Sequence, residues 1–216
     1  MITASGMALG LYCALSVFEC CQAERHSSFH FVKTLLMPVL TAFYLLTSRQ
    51  LGKPVFPFAV LALVFGWAGD VLLLGKGDRF FLSGLISFLL GHVFYAILFV
   101  TQIAHGMTPV YAWLMIAGFM IYAAIVVRFL MPHVGSAMRI PVIAYLGIIL
   151  LMNVGAALRA GSVALVSSVL VSAGAVFFMI SDTILAFSVF GGRKDRGVME
   201  TYTAAQLLII TGLLFV

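Results

Sequence analysis

The chain has 216 residues, of which 63% are apolar and only 9% carry a formal charge. Soluble domains are roughly 45–50% apolar and about 25% charged, so this composition excludes a soluble globular protein. The net charge of +5 comes from Lys and Arg residues scattered through connecting segments. In a membrane protein such residues indicate orientation rather than nucleic-acid binding.

Continuous apolar runs, separated by polar or Gly- and Pro-containing breaks, predict membrane-spanning helices of about 20 residues each. The first run has no preceding Lys or Arg, so we interpret it as an uncleaved span rather than a secretory signal. The prediction is an all-α, polytopic membrane helix bundle with eight transmembrane helices in a single integral membrane domain, residues 1–216. In chain order the predicted helices cover residues 2–21, 31–48, 55–74, 80–104, 109–131, 140–158, 162–188 and 199–216.

A faint internal repeat relates the third and seventh predicted helices. Residues 64–73 and 176–185 share Val, Phe, Asp and a final Leu at matching positions. This pattern is typical of two four-helix halves with the same orientation, a parallel repeat. Chance is the alternative, because matches between apolar segments arise easily.

Basic residues concentrate on one predicted side of the membrane. The other side has only Arg49, Lys53 and Arg159. The positive-inside rule therefore puts the loops after odd-numbered helices in the cytoplasm and both termini outside. The residues in or beside these odd-numbered loops are Arg25, Lys76, Arg79, Arg128, Arg139, Arg193, Lys194 and Arg196.

Ionisable side chains inside predicted spans are functional candidates, because each costs at least ~2.5–3.5 kcal/mol to insert. Lys33 begins the second helix, and Asp70 and Asp182 lie near the ends of the third and seventh helices. By the predicted topology all three share one leaflet with Glu200. Glu19 and Glu200 can be ordinary interfacial charges. Lys33 can instead extend to the headgroups or form a purely structural ion pair with one Asp.

Two carboxylates facing one cavity suit acid–base catalysis. Their mutual repulsion in a low-dielectric pocket keeps one protonated, as a proton donor, while the other stays ionised. We therefore predict that Asp70 and Asp182 form a catalytic pair in a shared pocket.

Six further polar residues could line that cavity, although His and Asn within a bundle also serve as interhelical hydrogen-bonding groups. They are His92 and Tyr95 on helix four, Tyr145 and Asn153 on helix six, and Tyr202 and Gln206 on helix eight. The five histidines lack metal-ligand spacing, the three cysteines form no C-x-x-C pair, and nucleotide-binding loops are absent. The sequence predicts no metal and no cofactor.

Several short motifs recur in order between about residue 30 and the C-terminus. They are Lys33-x-x-x-Met37-Pro38, Gly69-Asp70, Gly91-His92-x-x-Tyr95, Pro141-Val142-x-Ala144-Tyr145, Ser181-Asp182 and Tyr202-x-Ala204-Ala205-Gln206. With this ordered set the chain resembles the lysoplasmalogenase family, the YhhN-like bacterial membrane proteins and their animal transmembrane relatives. The resemblance implies an eight-helix hydrolase that cleaves the vinyl ether bond of lysoplasmalogens. The products would be a fatty aldehyde and glycerophosphoethanolamine or glycerophosphocholine.

The resemblance also implies roles for the candidate residues. Asp70 and Asp182 would be the acid and the anion around an oxocarbenium ion, much as glycosidases use two carboxylates. Lys33 would pair with the lipid phosphate or tune one Asp, and the other six polar residues would contact substrate or water. The substrate would be a lysophospholipid held in the cytoplasmic leaflet of a bacterial inner membrane.

Two other functions use intramembrane carboxylates. An aspartyl protease is disfavoured because the G-x-G-D motif is missing before Asp70. A proton-coupled transporter of a small or lipid-like solute fits intramembrane Asp and Lys. Its site, however, should lie at the midplane rather than near one face.

Overall fold

The computed structural model describes residues 3–24, 31–104, 108–192 and 197–216, with the side chains at 22–24, 31 and 78 outside this description. These ranges form an all-α chain of eight helices, with a single 3-10 turn at Met131–His133 after α5. Each helix begins and ends within four residues of its predicted bounds. The helices are α1 (Ala4–Glu24), α2 (Phe31–Leu51), α3 (Pro57–Leu72), α4 (Asp78–Thr101), α5 (Val110–Leu130), α6 (Ser136–Leu158), α7 (Leu165–Gly191) and α8 (Val198–Leu213).

Among the described residues, five helices are long and apolar enough to cross a membrane: α1, α4, α5, α6 and α7. Helices α3 and α8 are apolar but have only 16 residues each, a length of about 24 Å against a hydrocarbon core of about 30 Å. Helix α2 carries both Lys33 and Arg49. Length and composition thus support five of the eight predicted spans.

The chain divides into two compact units, Met1–Leu98 and Phe99–Val216. The boundary falls in the last turn of α4, close to the predicted division into four-helix halves. In the first unit α1 packs on α2 and α2 on α3. Ser5 Oγ donates a 2.6 Å hydrogen bond to Gln50 Oε1, which joins the start of α1 to the end of α2.

The second unit is built on two packing contacts. Buried Val126, Leu130 and Val142 form part of a core between α5, α6 and α7. Helix α8 packs closely against α7 at Gly174. A Cβ built on this glycine would lie 2.7 Å from Ile209 Cγ1 and 2.8 Å from the Ala205 carbonyl oxygen. Small residues at such contacts let two helix backbones approach closely.

Arg159 is fully buried (0% exposed) inside the second unit, where the sequence had indicated a loop residue. Its Nη2 donates a 2.8 Å hydrogen bond to Ser167 Oγ, and the guanidinium lies 5.6 Å from the Phe99 ring centroid. Burial lowers the pKa of Arg159 to about 10, which still leaves it protonated at neutral pH. The buried cation therefore ties the end of α6 to the start of α7.

The orientation assignment stays a prediction. Arg79 and Arg139 lie in the first turns of α4 and α6 rather than in loops, and both are exposed. Lys76 and Arg128 are exposed as well. The remaining basic residues behind the assignment, Arg25, Arg193, Lys194 and Arg196, lie outside the described residues.

Candidate functional site

In the first unit Lys33 and Asp70 form an ion pair. Lys33 lies in the first turn of α2, and Asp70 lies two residues before the end of α3. Lys33 Nζ is 3.4 Å from Asp70 Oδ1, and the two side chains are 18% and 1% exposed. Charge-assisted hydrogen bonds are usually 2.7–2.9 Å long, so this contact is a salt bridge at the longer end. The ion pair of Lys33 with one Asp, which the sequence analysis gave as a structural alternative to a functional role, is therefore present.

A proline in α2 explains a second contact beside this pair. Pro38 has no N–H, so it cannot donate the hydrogen bond that residue 38 of a regular helix would give to the carbonyl of Thr34. Trp67 of α3 donates to this carbonyl instead, through a 2.9 Å hydrogen bond from its indole Nε1–H to the Thr34 oxygen. Thr34 adjoins Lys33, and Trp67 lies one turn before Asp70. The bond therefore joins α2 and α3 next to the ion pair.

Helix α1 brings two buried polar residues that the sequence analysis missed or misread. Tyr12 is 1% exposed, and it lies close enough to Ser16 and to Asp70 to interact electrostatically with both. Glu19 is only 5% exposed, so its interpretation as an ordinary interfacial charge was wrong. A signal was present, because Tyr12, Ser16 and Glu19 are spaced at i, i+4 and i+7 and share one helix face.

His92 and Tyr95 of α4 are each 1% exposed. The His92 ring lies near the backbone of Phe88, one turn earlier in the same helix. Tyr95 lies within electrostatic range of Tyr12 and Tyr44, which belong to α1 and α2. For these two residues the contacts fit hydrogen bonding and packing within the first unit.

In the second unit a short hydrogen bond joins Tyr145 of α6 to Asp182 of α7. The Tyr145 hydroxyl donates a 2.6 Å hydrogen bond to Asp182 Oδ2. Tyr145 is 9% exposed, and Asp182 is partly exposed. Asp182 lies nine residues before Gly191, the last residue of α7, which is about 13 Å along the helix. The carboxylate is therefore deeper in its helix than the sequence predicted.

Helix α8 begins beside this pair. Ser181 Oγ donates a 3.0 Å hydrogen bond to the Val198 carbonyl, and Tyr202, one turn after Val198, packs edge-on against Phe178 with ring centroids 5.5 Å apart. Gln206 is 1% exposed one turn further on. Helix α8 thus adds a buried phenol and a buried amide on one face near α7.

Asn153 lies two turns after Tyr145 on α6 and is fully buried. Its Nδ2 donates a 2.9 Å hydrogen bond to the Ile149 carbonyl of the same helix. Among the described residues its Oδ1 has no hydrogen-bond partner. The Asn153 amide group thus donates within its own helix.

A cavity of about 460 Å³ lies between α5 and α7 in the second unit. Its α5 side consists of Tyr122, Ile125, Val126, Phe129 and, after the helix end, His133, and its α7 side of Thr183, Phe187 and Gly191. None of the nine predicted site residues lines it, although Thr183 directly follows Asp182. Most of the lining is apolar, so the cavity suits a hydrocarbon chain better than acid–base chemistry.

Each unit therefore places one carboxylate beside one proton-bearing group, an ammonium for Asp70 and a phenol for Asp182. A shared pocket for the two aspartates, which belong to different units, stays a prediction. Among the described residues no group of three His, Cys, Asp or Glu side chains could hold a metal ion. The side chains present can transfer protons and stabilise positive charge.

Comparison with known proteins gives one match. The sequence model of the YhhN family matches residues 28–213, a range that includes all nine predicted site residues. No curated protein and no solved structure gives a significant match.

Proposed function

The chain belongs to the YhhN family, and from this premise we propose that it is a lysoplasmalogenase. It would hydrolyse the vinyl ether bond of a lysoplasmalogen to a fatty aldehyde and glycerophosphoethanolamine or glycerophosphocholine. The observation that carries the proposal is the Tyr145–Asp182 hydrogen bond of 2.6 Å. This bond holds the Asp182 carboxyl group within an apolar helix. A carboxylic acid so placed can donate a proton to a carbon atom of the lipid.

Vinyl ether hydrolysis requires only an acid, an anion and water. In the proposed reaction the Asp182 carboxyl group gives its proton to the β-carbon of the vinyl ether. This creates an oxocarbenium ion at the α-carbon, which a negative charge nearby stabilises. Water adds to the α-carbon and returns a proton to Asp182. The resulting hemiacetal then breaks its bond to the glycerol oxygen, which takes up a proton as the aldehyde forms.

The different partners of the two aspartates support this division of roles. Asp70 has a cation, Lys33, at 3.4 Å, and an ammonium partner stabilises a carboxylate. We therefore assign Asp70 as the anion. The phenol beside Asp182 is neutral and positions the carboxyl group without supplying a full charge.

The remaining predicted residues would bind substrate around this pair. Tyr202, Gln206 and the free Oδ1 of Asn153 would bond the glycerol hydroxyl or water, and His92 and Tyr95 would shape the first unit. All eight helices would span the membrane as one domain, with the site toward the cytoplasmic leaflet of a bacterial inner membrane. A single-chain lipid would then present its vinyl ether near the headgroup level.

The test is to incubate purified protein with a lysoplasmalogen and, separately, with the saturated alkyl-ether analogue. We expect aldehyde from the first and no product from the second, because only the vinyl ether can be protonated at carbon to give an oxocarbenium ion. The Asp182→Asn variant is the control for a contaminating activity. Cleavage of both lipids, or of neither, would overturn the proposal. Solute-driven proton flux in proteoliposomes without aldehyde would indicate the transporter instead.

A further inference from the structure

A hydrogen bond from an exposed tryptophan sets the position of the Lys33–Asp70 pair. Trp67 is 42% exposed. Its Nε1–H nevertheless donates a 2.9 Å hydrogen bond to the Thr34 carbonyl. The bond therefore links an exposed side chain of α3 to the backbone of α2.

The acceptor exists because of Pro38. In an uninterrupted helix the N–H of residue 38 would bond the carbonyl of residue 34, and proline has no N–H to donate. An unfilled backbone acceptor within the apolar part of a membrane costs free energy. The indole N–H of Trp67 therefore takes the place of the backbone N–H that Pro38 lacks.

The Trp67–Thr34 hydrogen bond lies next to the Lys33–Asp70 ion pair. On α2 the accepting residue directly follows Lys33, and on α3 Trp67 precedes Asp70 by three residues, so the two share a helix face. At 3.4 Å the ion pair is too long to fix the register of α2 against α3 by itself. The indole bond, at an ordinary length and with a directional donor, can fix it.

We propose that Trp67 is a positioning residue: through the Thr34 carbonyl, to which Pro38 cannot donate, it holds Lys33 against Asp70 in the geometry that turnover requires. The effect on turnover rests on the proposed function. The coupling between Trp67 and Pro38 does not. Trp67 itself need not touch the lipid.

The experiment compares wild type, Trp67→Phe, Pro38→Ala and the double variant. The Pro38→Ala change restores an N–H for the Thr34 carbonyl, so the indole is no longer needed. With Pro38 present, Trp67→Phe should lower kcat about fivefold, the usual equivalent of one net hydrogen bond, and leave KM within about twofold. In the Pro38→Ala background, the same change should have no effect on kcat. Thermal midpoints of the four proteins should follow the same pattern.

Trp113→Phe is the matched control, because the chain has only two tryptophans and Trp113 is 59% exposed on α5. It should leave both kcat and the thermal midpoint unchanged. An equal effect of Trp67→Phe in the wild-type and Pro38→Ala backgrounds, or an effect no larger than that of Trp113→Phe, would overturn the proposal. Coupled midpoints with unchanged kcat would also overturn it, as the bond would then be structural only.

The two proposals fail separately. If wild type releases no aldehyde from any lysoplasmalogen, the proposed function is wrong. The thermal midpoints of the four proteins then still test whether the effects of Trp67 and Pro38 are coupled. If wild type is active and the midpoints are additive, the function stands and this inference is wrong.

Discussion

The hydroxyl of Tyr145 donates a 2.6 Å hydrogen bond to Oδ2 of Asp182 and so joins α6 to α7. Because a phenol hydroxyl has one proton, it cannot at the same time donate to another acceptor. As a residue Asp182 is partly exposed. The bond therefore fixes the direction of the Asp182 carboxyl group between α6 and α7.

Removing that bond should slow turnover without unfolding the protein. Tyr145→Phe deletes one hydrogen bond to an ionisable group, usually worth about 1.5–3 kcal/mol. Because Asp182 becomes a carboxylate as it gives up its proton, the bond strengthens in the transition state, and aldehyde release should fall roughly 10- to 100-fold without it. Asp182→Asn, which lacks the acid, should lose several orders of magnitude. Tyr111→Phe, at a tyrosine of α5 that is 47% exposed and lies outside the cavity lining, is the control, and an equal loss there would contradict a specific role for Tyr145.

The Lys33–Asp70 pair should stabilise the first unit in a way that depends on both partners. Lys33→Met leaves a carboxylate that is 1% exposed without its cation. Breaking a buried pair costs about 3–5 kcal/mol, and we expect about 3 because the Lys33 side chain is 18% exposed. The Lys33→Met/Asp70→Asn protein should regain part of this loss. Unfolding midpoints in detergent measure both, with exposed Lys76→Met as control. A double variant less stable than Lys33→Met would refute the pairing argument.

If Asp70 and Asp182 act on one substrate, the rate losses caused by the two substitutions should not multiply in the double variant. Residues that function as a unit lose nearly all of their contribution when either one is removed. The Asp70→Asn/Asp182→Asn protein should therefore be about as slow as the slower single variant in single-turnover aldehyde release. Rate losses that multiply would mean that the two carboxylates act independently, and the shared pocket would be wrong.

The contact between α7 and α8 should not tolerate a methyl group at Gly174. A Cβ there would lie 2.7 Å from Ile209 Cγ1 and 2.9 Å from the Ile209 backbone nitrogen, and backbone cannot move aside cheaply. Gly174→Ala should cost about 1–3 kcal/mol of stability through overpacking. Gly147→Ala on α6, where nothing lies within 4 Å of a new Cβ, should instead gain up to about 1 kcal/mol from helix propensity. Similar thermal midpoints for the two variants would contradict the close approach.

Sequence alone predicted the helices well, because each apolar run is continuous and ends at a polar or Gly- and Pro-containing break. It also placed Lys33 and Asp70 at the same end of adjacent helices, since the direction of the chain alternates with each span. That reasoning needs only the order of the helices. It does not need the rotation of any helix about its own axis.

Contacts that depend on rotation and packing could not be predicted. Glu19 and Arg159 lie near helix ends, where sequence favours an exposed side chain, yet they are 5% and 0% exposed. Whether such a residue faces lipid or protein depends on which neighbour packs on its helix. The bond from Trp67 to Thr34 combines a missing N–H in one helix with a side chain from another, and no local pattern encodes that pairing.

The shortness of α3 and α8 has a consequence for the surrounding bilayer. On the eight-span proposal, two helices of about 24 Å must cross about 30 Å of hydrocarbon, and lipid next to a short helix thins to match it. Such a dimple would draw headgroups and water down toward Asp70 near the end of α3 and toward Tyr202 in the first turns of α8. We therefore expect faster turnover in vesicles of short-chain lipids than in thick, sterol-rich ones.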